Sequence, residues 1–176
     1  MKVFLIRHSE PDYTAVTEAG FSGFGRDLSS LSANGISLAQ QCAQSPIFKN
    51  VELILSSPYT RALATAAEIV RFNNIPLHIE LGLHEWRPDR TDRYLKNGNQ
   101  AYDAWLIYKK NHGQRTNDNY WDYETSTEVR ARALKVLSAY SKYHCLACVT
   151  HGEVMRQFGD WQQIKYCEIK TIHLFE

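Results

Sequence analysis

A chain of 176 residues with 44% hydrophobic and 22% charged positions has the composition of a folded globular protein, long enough to bury roughly two-thirds of its unfolded surface. A formal net charge of +1 offers no electrostatic case for nucleic acid as the main partner, so any positive potential must be local. No apolar run approaches the roughly 18 residues of a membrane span, and the amino-terminal apolar segment is too short for a signal peptide. Membrane is therefore not an expected partner, the cytoplasm is the expected location, and the four cysteines are expected as free thiols.

The first element is the run Val3-Phe4-Leu5-Ile6, which ends in Arg7-His8 and then Ser9-Glu10-Pro11-Asp12. Its apolar, β-branched character predicts a buried central strand with Arg7 and His8 at its carboxyl end, where α/β sheets bind ligands. Residues 12–30, polar and bearing Gly20, Gly23 and Gly25, read as a loop beside that end. Ser32 is a predicted N-cap for a helix through Ile36 to Ala43 that stops before Pro46. Val51 to Leu55 is a second strand. Pro58 to Phe72 is a helix with Ala62, Ala66, Ala67, Ile69 and Val70 as its apolar stripe and Pro58 in its first turn. Pro76 to Ile79 is a third strand. Residues 82–123, rich in Trp and Tyr, read as a cap-like insertion that is helical around Ala101 to Lys110.

Ser126 to Tyr143 is the clearest helix, with Val129, Ala133, Val136, Leu137 and Tyr140 on one face. Cys145 to Thr150 is a fourth strand followed by His151-Gly152-Glu153, with a short helix from about Glu153. Ile169 to Phe175 alternates as a sheet-edge strand. Strands alternating with helices predict an α/β three-layer sandwich in one domain, its mostly parallel sheet covered on both faces. Cys145-x-x-Cys148 invites a zinc or redox reading, but residues three apart in a strand point to opposite faces. The two are read as buried apolar side chains and no metal site is expected.

Parallel strands of one sheet bring their carboxyl ends together. Arg7, His8 and His151 can therefore meet, and Arg61 can join them from the first turns of its helix. Two guanidiniums, two imidazoles and the amides of a helix start suit a small dianion such as phosphate. An imidazole there can also attack phosphorus, splitting one displacement into two. Such a site is sufficient for phosphoryl transfer without a metal or other cofactor.

These residues resemble the histidine phosphatase superfamily, the phosphoglycerate mutase-like family. Leu5-Ile6-Arg7-His8 is similar to its opening signature, and Ser57-Pro58-Tyr59-Thr60-Arg61-Ala62 through Thr65-Ala66 to its Ser-Pro-x-x-Arg-Ala-x-x-Thr-Ala helix. Val149-Thr150-His151-Gly152 resembles its second-histidine motif, and Leu31-Ser32-Ala33-Asn34-Gly35 its Leu-Thr-x-x-Gly helix start. The resemblance implies the phosphoglycerate mutase-like fold and a phosphomonoesterase, with mutase activity and a non-catalytic phosphate-binding module as alternatives. It implies His8 as nucleophile, with Arg7, Arg61 and His151 on the phosphoryl group. It also implies a general acid after the third strand. Glu85 is the choice, and Asp89 and His84 are the substitutes. The implied partner is a small phosphorylated substrate or a phosphoprotein.

Ser9 departs from the family's glycine, and either crowds the phosphate or adds a hydroxyl donor. Glu10 and Asp12 either repel anions at the mouth or are solvated loop residues. Trp86, Tyr94, Trp105 and Trp121 suggest an aromatic-walled specificity pocket. Arg87, Arg90 and Arg93 are interspersed with Asp89, Asp92 and Asp103, which favours hydrolysis over mutase chemistry.

Overall fold

The structure is a computed structural model and describes residues 1–91, 98–116 and 120–175. Five strands form the main sheet: β1 (Lys2–Arg7), β4 (Leu53–Ser56), β5 (Leu77–Ile79), β6 (Cys145–Thr150) and β7 (Ile169–His173). Their order is β5-β4-β6-β1-β7, parallel throughout except for β7, which pairs antiparallel with β1 at the edge. Two short strands, β2 (Pro11–Asp12) and β3 (Ser30–Leu31), pair separately. Between them lie a five-residue helix α1 (Thr14–Glu18) and a 3-10 turn, Gly23–Leu28, so the segment read as loop carries local order.

Period-two alternation splits β1 and β6 between two cores. Phe4, Ile6, Cys145, Ala147 and Val149 face the layer of α2 (Ala33–Ala43) and α3 (Thr60–Asn73). Val3, Leu5, Leu146 and Cys148 face α5 (Ser126–Ala139) and α6 (Gly152–Arg156), which contribute Leu137 and Met155. This is the three-layer α/β arrangement with helices on both faces. It also places Cys145 and Cys148 on opposite sides of the sheet, and burial pushes the Cys148 thiol up to about 12.

Local signals account for the helix ends. Ser32 caps α2 by accepting from the Gly35 amide at 2.9 Å, and Thr125 with Glu128 closes a capping box on α5. Pro58 lies before Tyr59, the N-cap of α3, rather than in the first turn, and Ala67 is exposed. Helix α5 ends at Ala139, short of the predicted Tyr143. In the cap, α4 (Gly98–Lys110) brings Ala104 and Tyr108 onto Trp86, Trp121, Tyr123 and Val129, forming a third core over α5.

Candidate active site

Strands β1 and β6 are neighbours in register, with Arg7 level with Thr150. The next residue of each chain segment therefore emerges at the same height, and the His8 and His151 rings lie 5.0 Å apart. Strand β4 flanks β6 and runs into Ser57 and α3, which delivers Arg61 to the same point: its Nε donates to His8 Nε2 at 3.3 Å. The structure thus brings together Arg7, His8, Arg61 and His151.

Backbone geometry sets the state of His8. Its Nδ1 lies 2.7 Å from the Ser9 carbonyl, which only accepts, so Nδ1 carries the hydrogen and Nε2 presents its lone pair. Burial, helped by the Arg61 charge, lowers its pKa to about 3. His151 is fully buried and pushed in the same direction by burial, then by Arg61 and His8. Its Nε2 lies 2.7 Å from the Ser57 hydroxyl. Among the described residues, two buried nitrogens around His8 have no hydrogen-bond partner, Arg7 Nε and His151 Nδ1. Buried polar atoms are ordinarily satisfied, so two orphaned nitrogens beside the His8 ring set this cluster apart from an ordinary core.

Several positioning residues were not singled out by sequence reasoning. Asp27 accepts from Arg61 Nη1 at 2.9 Å, and burial raises the Asp27 pKa against that charge. Tyr166 lies beneath the Arg7 guanidinium at 4.5 Å, while Arg7 Nη1 donates to the Ile164 carbonyl at 2.5 Å. Neither had a signal in the sequence, because both come from segments outside the motif strands. The Ser9 hydroxyl donates to the Gly35 carbonyl at 2.6 Å and its amide to Thr65 Oγ1 at 2.9 Å. Ser9 therefore braces β1 against α2 and α3, and its hydroxyl hydrogen is already engaged.

Glu85 lines the cavity, is held by the Trp86 amide at 2.8 Å, and has its pKa raised by burial and then by the nearby Glu153 charge. Its segment is anchored by Arg132, which donates to the Gly82 and His84 carbonyls at 2.7 Å each and pairs with Glu124 at 2.6 Å. Asp89 also lines the cavity, but its Oδ1 accepts from the Thr91 amide and hydroxyl in a tight turn. His84 turns its Nδ1 to the Glu85 carbonyl at 2.6 Å and is absent from the cavity wall.

The cavity measures about 520 Å³ and meets the four-residue cluster through Arg7 and through Tyr59 and Gly152, the neighbours of Arg61 and His151, whereas His8, Arg61 and His151 are buried and do not line it. Trp86 and Trp105 are in its wall, whereas Trp121 is buried in the cap core, a correction that follows from its packing among Trp86, Tyr108 and Tyr123. Tyr94, Asp92 and Arg93 lie outside the described residues. Glu10 accepts from Ser32 and Asn34 and Asp12 from the Thr14 amide, and neither lines the cavity, which favours the loop role for both. Among the described residues no cluster of three or more metal-ligating side chains occurs, and no helix is long and apolar enough to cross a membrane.

Comparison with known proteins places this geometry in context. The model of the histidine phosphatase superfamily (branch 1) matches residues 3–174. An uncharacterized phosphoglycerate mutase family protein of Acanthamoeba polyphaga mimivirus is 32% identical over 177 residues, covering 96% of this chain and 82% of the relative. Among solved structures, a mycobacterial glucosyl-3-phosphoglycerate phosphatase bound to VO3 is similar at TM-score 0.71 and 16% identity, covering 97% of this chain and 90% of that one. The YhfR protein of Bacillus stearothermophilus is similar at TM-score 0.70 and 21% identity, covering 99% and 91%. A phosphoserine phosphatase of Entamoeba histolytica is similar at TM-score 0.64 and 24% identity, covering 97% and 89%.

Proposed function

Because the chain belongs to the histidine phosphatase superfamily, we propose that it is a metal-independent phosphomonoesterase acting on a small phosphorylated substrate through a phosphohistidine on His8. The observation that carries this reading is the His8 imidazole itself, neutral, with Nδ1 tied to the Ser9 carbonyl and the Nε2 lone pair turned toward Arg61. Nε2 attacks phosphorus as the bond to the leaving oxygen breaks. Arg7, Arg61 and His151 hold the equatorial oxygens, supplying the charge stabilisation that dominates phosphoryl transfer. Glu85, whose protonated form burial favours, gives its proton to the leaving oxygen. Water then attacks the phosphohistidine, its proton passes to the Glu85 carboxylate, and the P–N bond breaks to release inorganic phosphate.

Hydrolysis of p-nitrophenyl phosphate in EDTA tests this. The wild type is expected to turn over and His8→Ala to lose activity on the order of a thousandfold or more, with no phosphoenzyme trapped on rapid quenching. Near-normal turnover in that variant would remove the phosphohistidine, and a wild-type activity that EDTA abolishes would remove metal independence. Phosphoglycerate mutase-type transfer is the second reading, favoured by Arg26 and Arg87 in the cavity wall, since a mutase must hold a bisphosphate. Transfer of label from phosphoenzyme to an acceptor alcohol rather than to water would select it.

A further inference from the structure

The cavity is larger than a phosphoryl group needs and within the usual size for organic ligands, about 300–1,000 Å³. Beyond Arg7, its wall includes Arg26, Arg87 and Arg156 on one side of the charge balance and Asp27, Glu85, Asp89 and Glu153 on the other. The acids are accounted for. Asp27 is held by Arg61 at 2.9 Å, Glu153 by Arg156 at 2.6 Å, Asp89 is buried and accepts from the Thr91 amide and hydroxyl at 2.9 and 2.7 Å, and burial favours the neutral form of Glu85. Arg26 and Arg87 form no ion pair with a carboxylate among the described residues. Each is seated instead on an aromatic ring, Arg26 over Tyr13 at 4.9 Å and Arg87 over Phe24 at 4.8 Å.

A guanidinium stacked by its face keeps its N–H edges free for an anion, and the stacking lowers the entropy lost on binding one. Arg87 spends one edge on the Arg90 carbonyl at 2.6 Å. Position matters as well. Arg26 adjoins Asp27, the partner of Arg61, and Arg87 follows Glu85 by two residues, and all but Arg61 line the same cavity. Phe24 and Tyr102, exposed and lining the same cavity, offer flat apolar surface between them.

We propose that the outer cavity is an anion subsite in which Arg26 and Arg87 hold a second acidic group, carboxylate or phosphate, on the leaving portion of the substrate, with Phe24 and Tyr102 flanking its carbon frame. This deepens the phosphomonoesterase reading and rests on it. The substrate class is therefore a phosphomonoester whose leaving alcohol is itself an anion.

The test compares 4-carboxyphenyl phosphate with 4-carbamoylphenyl phosphate, which are close in size and leaving-group acidity and differ by one charge. The wild type is expected to prefer the carboxylate by about tenfold in kcat/KM, chiefly through KM, and added salt should erode the preference. In the Arg26→Gln, Arg87→Gln double variant the ratio should fall toward one. A wild-type ratio near one overturns the subsite, and so does a ratio that survives in the double variant, including one in which both esters slow equally. Hydrolysis of neither ester would instead count against the phosphatase reading. The subsite is then decided by calorimetric binding of 4-carboxyphenylphosphonate against its carbamoyl analogue to wild type and double variant: a charge preference lost in the variant supports it, and equal binding overturns it.

Discussion

At the residue scale, the site depends on hydrogen placement more than on residue identity. A histidine beside a buried arginine is unremarkable until one ring nitrogen is assigned. The 2.7 Å contact from Nδ1 to the Ser9 carbonyl makes that assignment and leaves Nε2 with its lone pair, as the proposed nucleophile requires. Glu85 suits the complementary role proposed for it, because burial and the neighbouring Glu153 charge both favour its protonated form. Glu85→Gln is expected to lower turnover of alkyl phosphates by roughly 100- to 10,000-fold while costing p-nitrophenyl phosphate far less, since an activated leaving group needs little protonation. The alkaline limb of the wild-type kcat/KM profile should lie above the ordinary carboxylate range and be absent in the variant. Equal losses on both substrate types would transfer the acid role to Asp89.

At the element scale, the close approach of α2 to the segment after β1 decides whether His8 stays in place. A Cβ built on Gly35 would meet the Glu10 carbonyl oxygen at 2.2 Å, and the neighbouring contacts are tight as well: Ser9 Oγ donates to the Gly35 carbonyl at 2.6 Å and the Ser32 amide to the Glu10 carbonyl at 3.0 Å. Gly35→Ala gains up to about 1 kcal/mol of helix propensity, but the obstacle is backbone and cannot rotate away. The expected net result is a loss of about 1–3 kcal/mol in urea unfolding, with weaker phosphate binding as β1 shifts. Stability equal to the wild type would mean that the two segments separate freely. The glycine of the Leu-Ser-x-x-Gly motif is thus a packing requirement between the helix and the strand end that carries His8.

At the scale of the whole molecule, two neutral imidazoles buried together make folding sensitive to acid. His8 has its pKa lowered from 6.5 to about 3, so between those values the unfolded chain binds a proton that the folded one does not. Stability from this source is intact above about pH 6.5 and declines as pH falls toward 3, by at most about 1.4 kcal/mol per pH unit for one group. Asp27 and Glu85, raised by burial, act in the opposite sense, but they are present in wild type and variant alike. Melting temperatures of wild type and His8→Asn between pH 7 and pH 4 isolate the histidine: the wild type should lose ground steadily relative to the variant. A difference independent of pH would mean that His8 is charged in the folded state.

What the amino-acid sequence determined by itself were the features written in local periodicity and spacing. The apolar runs of β1, β4 and β6 and their abrupt polar ends located Arg7, His8 and His151, Ser32 and Pro46 bracketed α2, and alternation sent Cys145 and Cys148 to opposite faces. The family motifs add Arg61 and the segment of Glu85. What only the tertiary structure decided were contacts between segments that share no local pattern. Asp27 is 34 residues from the Arg61 it holds, Ile164 is 157 residues from the Arg7 it anchors, and Arg132 reaches 50 residues back to Gly82. Trp121 shows the same limit, since its composition suits a cavity wall and only the packing of α4 against α5 buries it. Periodicity reports which face of an element is apolar, whereas the partners of a polar side chain are set by where the sheet order and the cap bring distant backbone together.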